Sequence, residues 1–463
     1  MDEFLHTYEM ESLALGITAR RDVTQQVRRW FGATDAADAD ASAAAMQRTA
    51  TALAARRRHE QDEKHEQEPL HRLVIAGNSK ECFRHRLRNV QLVALCAAIV
   101  KSRLACIGAI DVSHNHIGEE QPTDAAEEAK DDDAVEDAVR RLDVAPALGG
   151  LLQRTAMYAS AIEELNLSYN RLGAESCQLL CASLQENAAS PLRRLHLSGN
   201  PLRVGGGRAI AALLATPTCR LEELQLANTE LEVENLIAIA TALRSNGSLH
   251  TLNLDNPVVR STEEEAIQHI GKMLQVNDTL RALSLGKHQL TDHGAQVLAE
   301  RLLDNHALQS LSLRANRIGA TGASALAALL LRHDALTEFD LSANRIGDAG
   351  AAAFAKLLRH NTRPLTTLAL CSTYLTDDGL SDIADACLRP RHPETNRLRS
   401  LLLWGNDFGE RSAALFLELH NGRFRDFDVE TDFVPLRSDA PDGVAHVAHQ
   451  ATRRARHLES PKR

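Results

Sequence analysis

The sequence predicts an α/β solenoid of about eleven repeats, with a parallel β-sheet on the concave side and α-helices on the convex side. Three observations carry this expectation. The segments IEELNLSYNRLG, LRRLHLSGNPL, LQSLSLRANRIGATG, LTEFDLSANRIGDAG and LRSLLLWGNDFG share the pattern L-x-x-L-x-L-x-x-N. Anchored on its Asn, the pattern recurs at Asn78, Asn115, Asn170, Asn200, Asn316, Asn344 and Asn406, and the same frame puts Thr229, Pro257, His288 and Thr373 at that position in degenerate copies. From Asn170 onward neighbouring anchors lie 28 to 33 residues apart, after earlier gaps of 37 and 55. Thirdly, runs such as ASALAALLLRHD and AAAFAKLLRHN follow the anchors and repeat Ala and Leu on one helical face.

Each element follows from its pattern. L-x-L has a period of two, so it reads as a short strand with one buried face. The Asn is suited to hydrogen-bond backbone where the chain turns away, a role Pro257 cannot fill and His288 and Thr373 fill differently. The following helix has small Ala residues that let it lie close to the strands. A single repeat cannot bury its apolar faces, whereas a stack can. The 463 residues would allow about three ordinary domains. The repeats instead predict one solenoid over residues 70–421.

The flanking segments break the pattern. Residues 1–69 are expected to form a helical extension that caps the first repeat, centred on the Ala-rich ADASAAAMQRTATALAARRRHEQDEKHEQE. Arg56, Arg57 and Arg58 within it are followed by Glu60, Asp62 and Glu63 and read as a solvated face. An acidic insertion occupies 119–145: ten acids against one Lys between Glu119 and Asp137 leave −9 of the chain's net −10. Residues 422–450 alternate apolar and polar side chains around Pro441-Asp442-Gly443, which predicts a β-hairpin cap. Residues 451–463 form a basic tail.

Composition and motif searches narrow the function. No run of about 18 apolar residues exists, which excludes a membrane-spanning helix, and the acidic start MDEFLHTYEM is unlike a secretory leader. The negative balance argues against direct nucleic-acid binding. Eight cysteines without C-x-x-C spacing are expected as buried, reduced thiols. Neither G-x-x-x-x-G-K-[ST] nor G-x-S-x-G occurs. Gly205, Gly206 and Gly207 read as turn chemistry, His114 and His116 as turn histidines, and the carboxylate run as unlike a calcium loop. No catalytic residue, metal or cofactor is expected.

These repeats resemble the ribonuclease-inhibitor type of leucine-rich repeat protein, a horseshoe of alternating strands and helices. A narrower resemblance to one member rests on LNLDNPVVRSTEEEAIQHIGKMLQVNDTLRALSLGKHQLTDHG, LLLWGNDFGE, DFDVETDFVP and DGVAHVA. The resemblance implies a non-enzymatic interaction scaffold, intracellular, in a cilium or flagellum axoneme. A nucleolar ribosome-biogenesis factor is the alternative, with an activator or inhibitor of an enzyme such as a GTPase behind it. Arg171, Arg317 and Arg345, each following its anchor, would serve that last role, although the repeat itself explains them.

The frame also names the expected partner surface. Positions two, four and six before each anchor point outward on the concave side. They include Glu164, Asn166, Arg194, His196, Glu223, Gln225, Asp255, Arg314, Glu338, Asp340, Leu402 and Trp404, with Tyr169 and Lys287 at the rim. The paired carboxylates Glu338 and Asp340 read as binding polarity, since acid catalysis needs burial. Trp404 is the sharpest candidate because Trp is enriched at binding hot spots, unless the C-terminal cap covers it. A mixed polar face with few aromatics suits a protein partner, including a large cytoskeletal or axonemal assembly, better than a small molecule or a membrane.

Overall fold

The computed structural model describes residues 1–30, 71–79, 85–102, 106–118, 144–155, 162–258, 264–360, 363–392, 397–437 and 445–450. It has two compact units, Met1–Asn200 and Pro201–Arg463. Both are α/β stacks in which parallel strands alternate with helices.

The first unit runs α1 (Asp2–Ala14), α2 (Arg21–Trp30), β1 (His71–Val74), α3 (Asn89–Ser102), β2 (Ile107–Asp111), α4 (Val144–Thr155), β3 (Glu164–Asn166), α5 (Ala174–Glu186) and β4 (Arg194–His196). The four strands pair in parallel in chain order, and β2 pairs directly with β3. The 55-residue gap therefore contributes a helix, α4, to the helical layer and no strand among its described residues. Residues 119–143 lie outside the described residues. So does the Ala-rich stretch expected to be a helix, together with Arg56, Arg57 and Arg58.

The described N-terminal helices came instead from a stretch with no repeat signal. Helix α1 buries Phe4 and Tyr8, and Lys101 of α3 pairs with its Glu11 at 2.6 Å. Helix α2 covers the edge of β1. The Gln26 Nε2 donates to the Val74 carbonyl at 2.6 Å, and the Val74 N–H donates to Gln26 Oε1 at 2.9 Å. One side-chain amide thus supplies the donor and acceptor of a neighbouring strand. Trp30 stacks flat on His71, with ring centroids 5.0 Å apart.

The second unit runs α6 (Arg203–Ala215), β5 (Glu223–Gln225), α7 (Val233–Leu243), β6 (Thr251–Asn253), α8 (Glu265–Leu274), β7 (Ala282–Ser284), α9 (Asp292–Leu302), β8 (Ser310–Ser312), α10 (Ala320–Leu330), β9 (Glu338–Asp340), α11 (Gly347–His360), β10 (Thr367–Ala369), α12 (Asp377–Leu388), β11 (Ser400–Leu402), α13 (Glu410–Asn421), α14 (Arg423–Asp426), β12 (Glu430–Thr431), β13 (Phe433–Arg437) and β14 (Ala445–His449). Strands β5 to β12 are parallel neighbours in chain order. Their central residues, Leu224, Leu252, Leu283, Leu311, Phe339, Leu368 and Leu401, are buried against the helices.

The anchors hold this stack together. Asn344 Nδ2 donates to the Leu341 carbonyl of its own repeat at 2.8 Å and to the Leu313 carbonyl of the repeat before it at 2.9 Å. Its Oδ1 accepts from the Ile318 N–H at 3.0 Å. Asn115, Asn170, Asn200, Asn316 and Asn406 repeat this arrangement. At the degenerate positions the Thr229 and Thr373 hydroxyls donate to their own repeat's carbonyl, both at 2.7 Å, Thr373 also lying 3.3 Å from Asn406 Oδ1, and His288 Nε2 reaches the Leu254 carbonyl at 2.9 Å. Asn78 departs from the expected role. It occupies the frame position but is exposed, and among the described residues no earlier repeat supplies a carbonyl for it.

A second Asn series ties the helix ends. Asn246 donates to the Leu214 carbonyl, Asn277 to Leu243 and Asn305 to Leu274, each one repeat earlier. Aspartates also cap helices of the following repeat. Asp292 Oδ1 accepts from the Gly319 and Gly322 N–H groups at the start of α10, and Asp377 Oδ1 does so from Gly409 and Ser412 at the start of α13. A carboxylate there meets the otherwise unpaired amides and the positive end of the helix dipole.

The C-terminal segment differs from a simple hairpin. Strands β13 and β14 pair antiparallel, but α14 and β12 precede them and β12 adds to β11 as a further parallel strand. The reason is the alternation of Val429, Thr431 and Phe433, which continues the inward register. Phe433 packs against Phe408 and Phe416. Asp432 then stands in for an anchor: its Oδ1 accepts from the Leu403 and Trp404 N–H groups at 2.8 and 3.1 Å.

Candidate functional site

Strand pairing converts the outward positions into rows. In the first unit one row is Arg72, Ala109, Glu164 and Arg194, and the next is Val74, Asp111, Asn166 and His196. Their charges are paired with one another. Arg72 lies 2.9 Å from Glu164 and 3.3 Å from Asp111, and Arg194 lies 3.2 Å from Glu164. Asn166 Oδ1 accepts from the Ser168 N–H. Beyond the strand ends, His114 and Tyr169 stack with ring centroids 4.4 Å apart, and burial lowers the pKa of His114. The geometry makes His114 an aromatic partner.

In the second unit the first row is Glu223, Thr251, Ala282, Ser310, Glu338, Thr367, Ser400 and Glu430. The second is Gln225, Asn253, Ser284, Ser312, Asp340, Ala369 and Leu402. Asp255, Arg314 and Trp404 lie two residues further along their chains. The structure thus brings Glu338 and Asp340 together on β9 and sets Leu402 and Trp404 two strands away.

Several of these side chains also serve the fold. Asp255 Oδ1 accepts from the Gly286 N–H at 2.6 Å and from Ser284 Oγ at 2.7 Å. Asp340 Oδ1 accepts from the Ser342 N–H at 2.9 Å, and Glu338 from Ser310 Oγ at 3.1 Å. All three carboxylates lie on a half-exposed surface. Arg314 is exposed and forms no ion pair among the described residues.

Trp404 is 37% exposed, and His449 of β14 lies against it at 4.8 Å between centroids. The C-terminal cap therefore touches this ring without enclosing it. Below it Cys371 Sγ donates to Asp432 Oδ2 at 3.1 Å. Burial, with Asp432 adding to it, pushes this thiol up to about 12, so it stays protonated.

Tyr374 escaped the sequence reading. It is 73% exposed and lines an open groove of about 710 Å³ with Ser372, Gly405 and Asp407. Its φ is +61°, and Glu230 and Gln289 share that left-handed backbone. All three follow a degenerate anchor, Thr373, Thr229 or His288, which is the signal that marks them.

A family model described as Leucine Rich repeat matches residues 161–181, 188–211, 276–299, 304–327 and 336–355. Together with the anchor ladder and the strand–helix alternation, it makes the chain similar to leucine-rich repeat proteins of the ribonuclease-inhibitor type. The chain is 36% identical over 216 residues to Leucine-rich repeat-containing protein 34 of Mus musculus, 46% of this chain and 50% of that protein. It is 30% identical over 168 residues to the Ribonuclease inhibitor of Sus scrofa, 31% of this chain and 36% of that protein. These matches span about a third to a half of the relatives' lengths. Among solved structures an internalin (inlF) from Listeria monocytogenes is 14% identical over 78% of this chain and 86% of that one, with a TM-score of 0.38, too loose a likeness to bear on function. Leucine-rich repeat proteins act through protein–protein interaction, and relatives of this type are typically non-enzymatic binding proteins. No helix among the described residues is long and apolar enough to cross a membrane.

Proposed function

We propose that the chain is a non-enzymatic scaffold or assembly factor that binds a protein partner through the outward rows of its strands. One observation carries this reading. The inward row is buried Leu and Phe, whereas the outward rows present half-exposed, mostly polar side chains in strict register across β5 to β9. In the first unit Glu164 and Arg194 are already engaged in ion pairs. The second unit is the main contact, because its outward rows are longer and bring Glu223, Gln225, Asp255, Glu338 and Asp340 to face a basic partner surface. Leu402 and Trp404 supply the apolar anchor.

Placement in an axonemal assembly rests on the narrower resemblance and is part of the proposal. Affinity purification of the tagged chain tests both levels. Axonemal proteins among the recovered partners support the placement, and ribosome-assembly factors in their stead refute it in favour of the nucleolus. Glu338→Lys with Asp340→Lys is expected to reduce partner recovery at least tenfold. Unchanged recovery removes this face from the interaction. Stimulation of a small GTPase would overturn the scaffold reading in favour of an enzyme regulator.

A further inference from the structure

We propose that the basic segment 451–463 of this chain docks on the strand-bearing face of the second unit, between Trp404 and the carboxylates of β9, and so competes with a partner for that face. The proposal rests on the reading of this face as the docking surface and names a regulator of it. Residues 451–463 lie outside the described residues. Their sequence carries Arg453, Arg454, Arg456, Lys462 and Arg463 against Glu459, a net charge of +4.

The point of departure is set by β14. Its last residue, His449, lies against Trp404, and the Gln450 N–H donates to the Asp432 carbonyl at 2.9 Å. The chain therefore leaves at the strand face. From there to β9 the outward residues are Leu402, Ser400, Ala369 and Thr367. All but Leu402 are small and buried, so no tall side chain blocks the way. Glu338 and Asp340 stand at the far side of this floor.

The distances agree. Two strand spacings are about 10 Å, and the offset from Trp404 back to Asp340 adds a further residue pair, roughly 7 Å. A diagonal of about 12 Å needs about four extended residues at ~3.3 Å each. Arg453 and Arg454 are four and five residues beyond His449. Four or five residues are enough to bring a guanidinium to Glu338 and Asp340, where charge-assisted hydrogen bonds add to those already accepted from Ser310 Oγ and the Ser342 N–H. Arg314, the exposed cation just beyond the end of β8, opposes any further reach. It sets the boundary of the docked segment at β9.

The test is a titration of a labelled synthetic peptide of residues 451–463. Saturable binding is expected to the chain ending at Gln450. Binding is expected to weaken at least tenfold on the full chain, whose own segment occupies the face, and on the shortened chain carrying Glu338→Gln and Asp340→Asn. It is also expected to weaken as salt rises from about 0.05 to 0.3 M, because the pairs are partly exposed. Circular dichroism of each variant verifies its fold. Equal affinity for the full and shortened chains, no loss on neutralising the two carboxylates, or no binding at all overturns the proposal. A face that takes the peptide but recovers no partner refutes only the functional reading, and the reverse result refutes only this one.

Discussion

Replacing Asn344 with Ala tests the anchor ladder directly. Asn344 is fully buried and makes three good side-chain hydrogen bonds, to the Leu341 and Leu313 carbonyls and from the Ile318 N–H. The Leu313 carbonyl keeps a second donor, Asn316 Nδ2 at 2.8 Å, so its loss costs about 1 kcal/mol. The Leu341 carbonyl and Ile318 N–H lose their side-chain partner in a buried setting, at about 1–3 kcal/mol each. The expected destabilisation is about 4 kcal/mol. Asn344→Thr is expected to cost about half as much, because Thr373 and Thr229 show that a hydroxyl reaches the carbonyl of its own repeat. Urea unfolding followed by circular dichroism measures both variants. Amide exchange at Ile318 localises the effect, since a repeat stack can open in parts. A cost within about 1 kcal/mol for Asn344→Ala, or equal costs for the two variants, would refute the reasoning.

Three further outcomes follow from the geometry. Burial pushes His288 down to about 4 while its Nε2–H donates to the Leu254 carbonyl and Asp255 pulls weakly the other way. Below about pH 6.5 the unfolded chain takes up a proton that the folded chain refuses. The stability associated with neutral His288 is thus present above that pH and lost on acidification toward 4, by about 3 kcal/mol in all. His288→Asn should flatten that part of the pH profile, and parallel profiles for the two proteins contradict the assignment. Gln26→Ala should expose the edge of β1 and raise amide exchange at Val74 at least tenfold, whereas unchanged exchange would mean that the edge is covered by something else. Gly405→Ala places a Cβ at φ +81° and against Ser372 Oγ, so a loss of about 1–2 kcal/mol is expected in thermal unfolding. A neutral result would show that the turn relaxes.

Much of this fold was legible because the inward Leu pair and the Asn impose a rigid frame. Asn170, Asn200, Asn316, Asn344 and Asn406 all sit where the pattern put them. The outward rows followed from the same frame, including the neighbouring carboxylates on β9. Other features depend on contacts between repeats that no local pattern encodes. Asn246, Asn277 and Asn305 recur at 31 and 28 residues, but beyond the helix ends they read as ordinary loop residues until the preceding helix supplies carbonyls. Asp292 and Asp377 each cap a helix some thirty residues later, outside the range of a local capping signal. Helices α1 and α2 carry no repeat, and the longer Ala-rich stretch masked them. Strand β12 is too short to show a period.

The uneven ladder has a mechanical consequence. Between the repeats anchored at Thr229 and Pro257 no buried anchor side chain ties one strand end to the other, because the Thr229 hydroxyl bonds only within its repeat and Pro257 has no donor; the strand ends keep their backbone bonds and an exposed bond from Asn256 Nδ2 to Asn228 Oδ1 at 2.6 Å. On the helical side the same two repeats are riveted by Asn277, which donates to the Leu243 and Asn246 carbonyls at 2.6 and 3.2 Å. A junction fastened more firmly on one side than on the other yields by pivoting about the firmer side. Under tension the second unit should first gape at β5 and β6, spreading Gln225 from Asn253 while its helices stay in register, and Pro257→Asn should raise the force at which that gap opens.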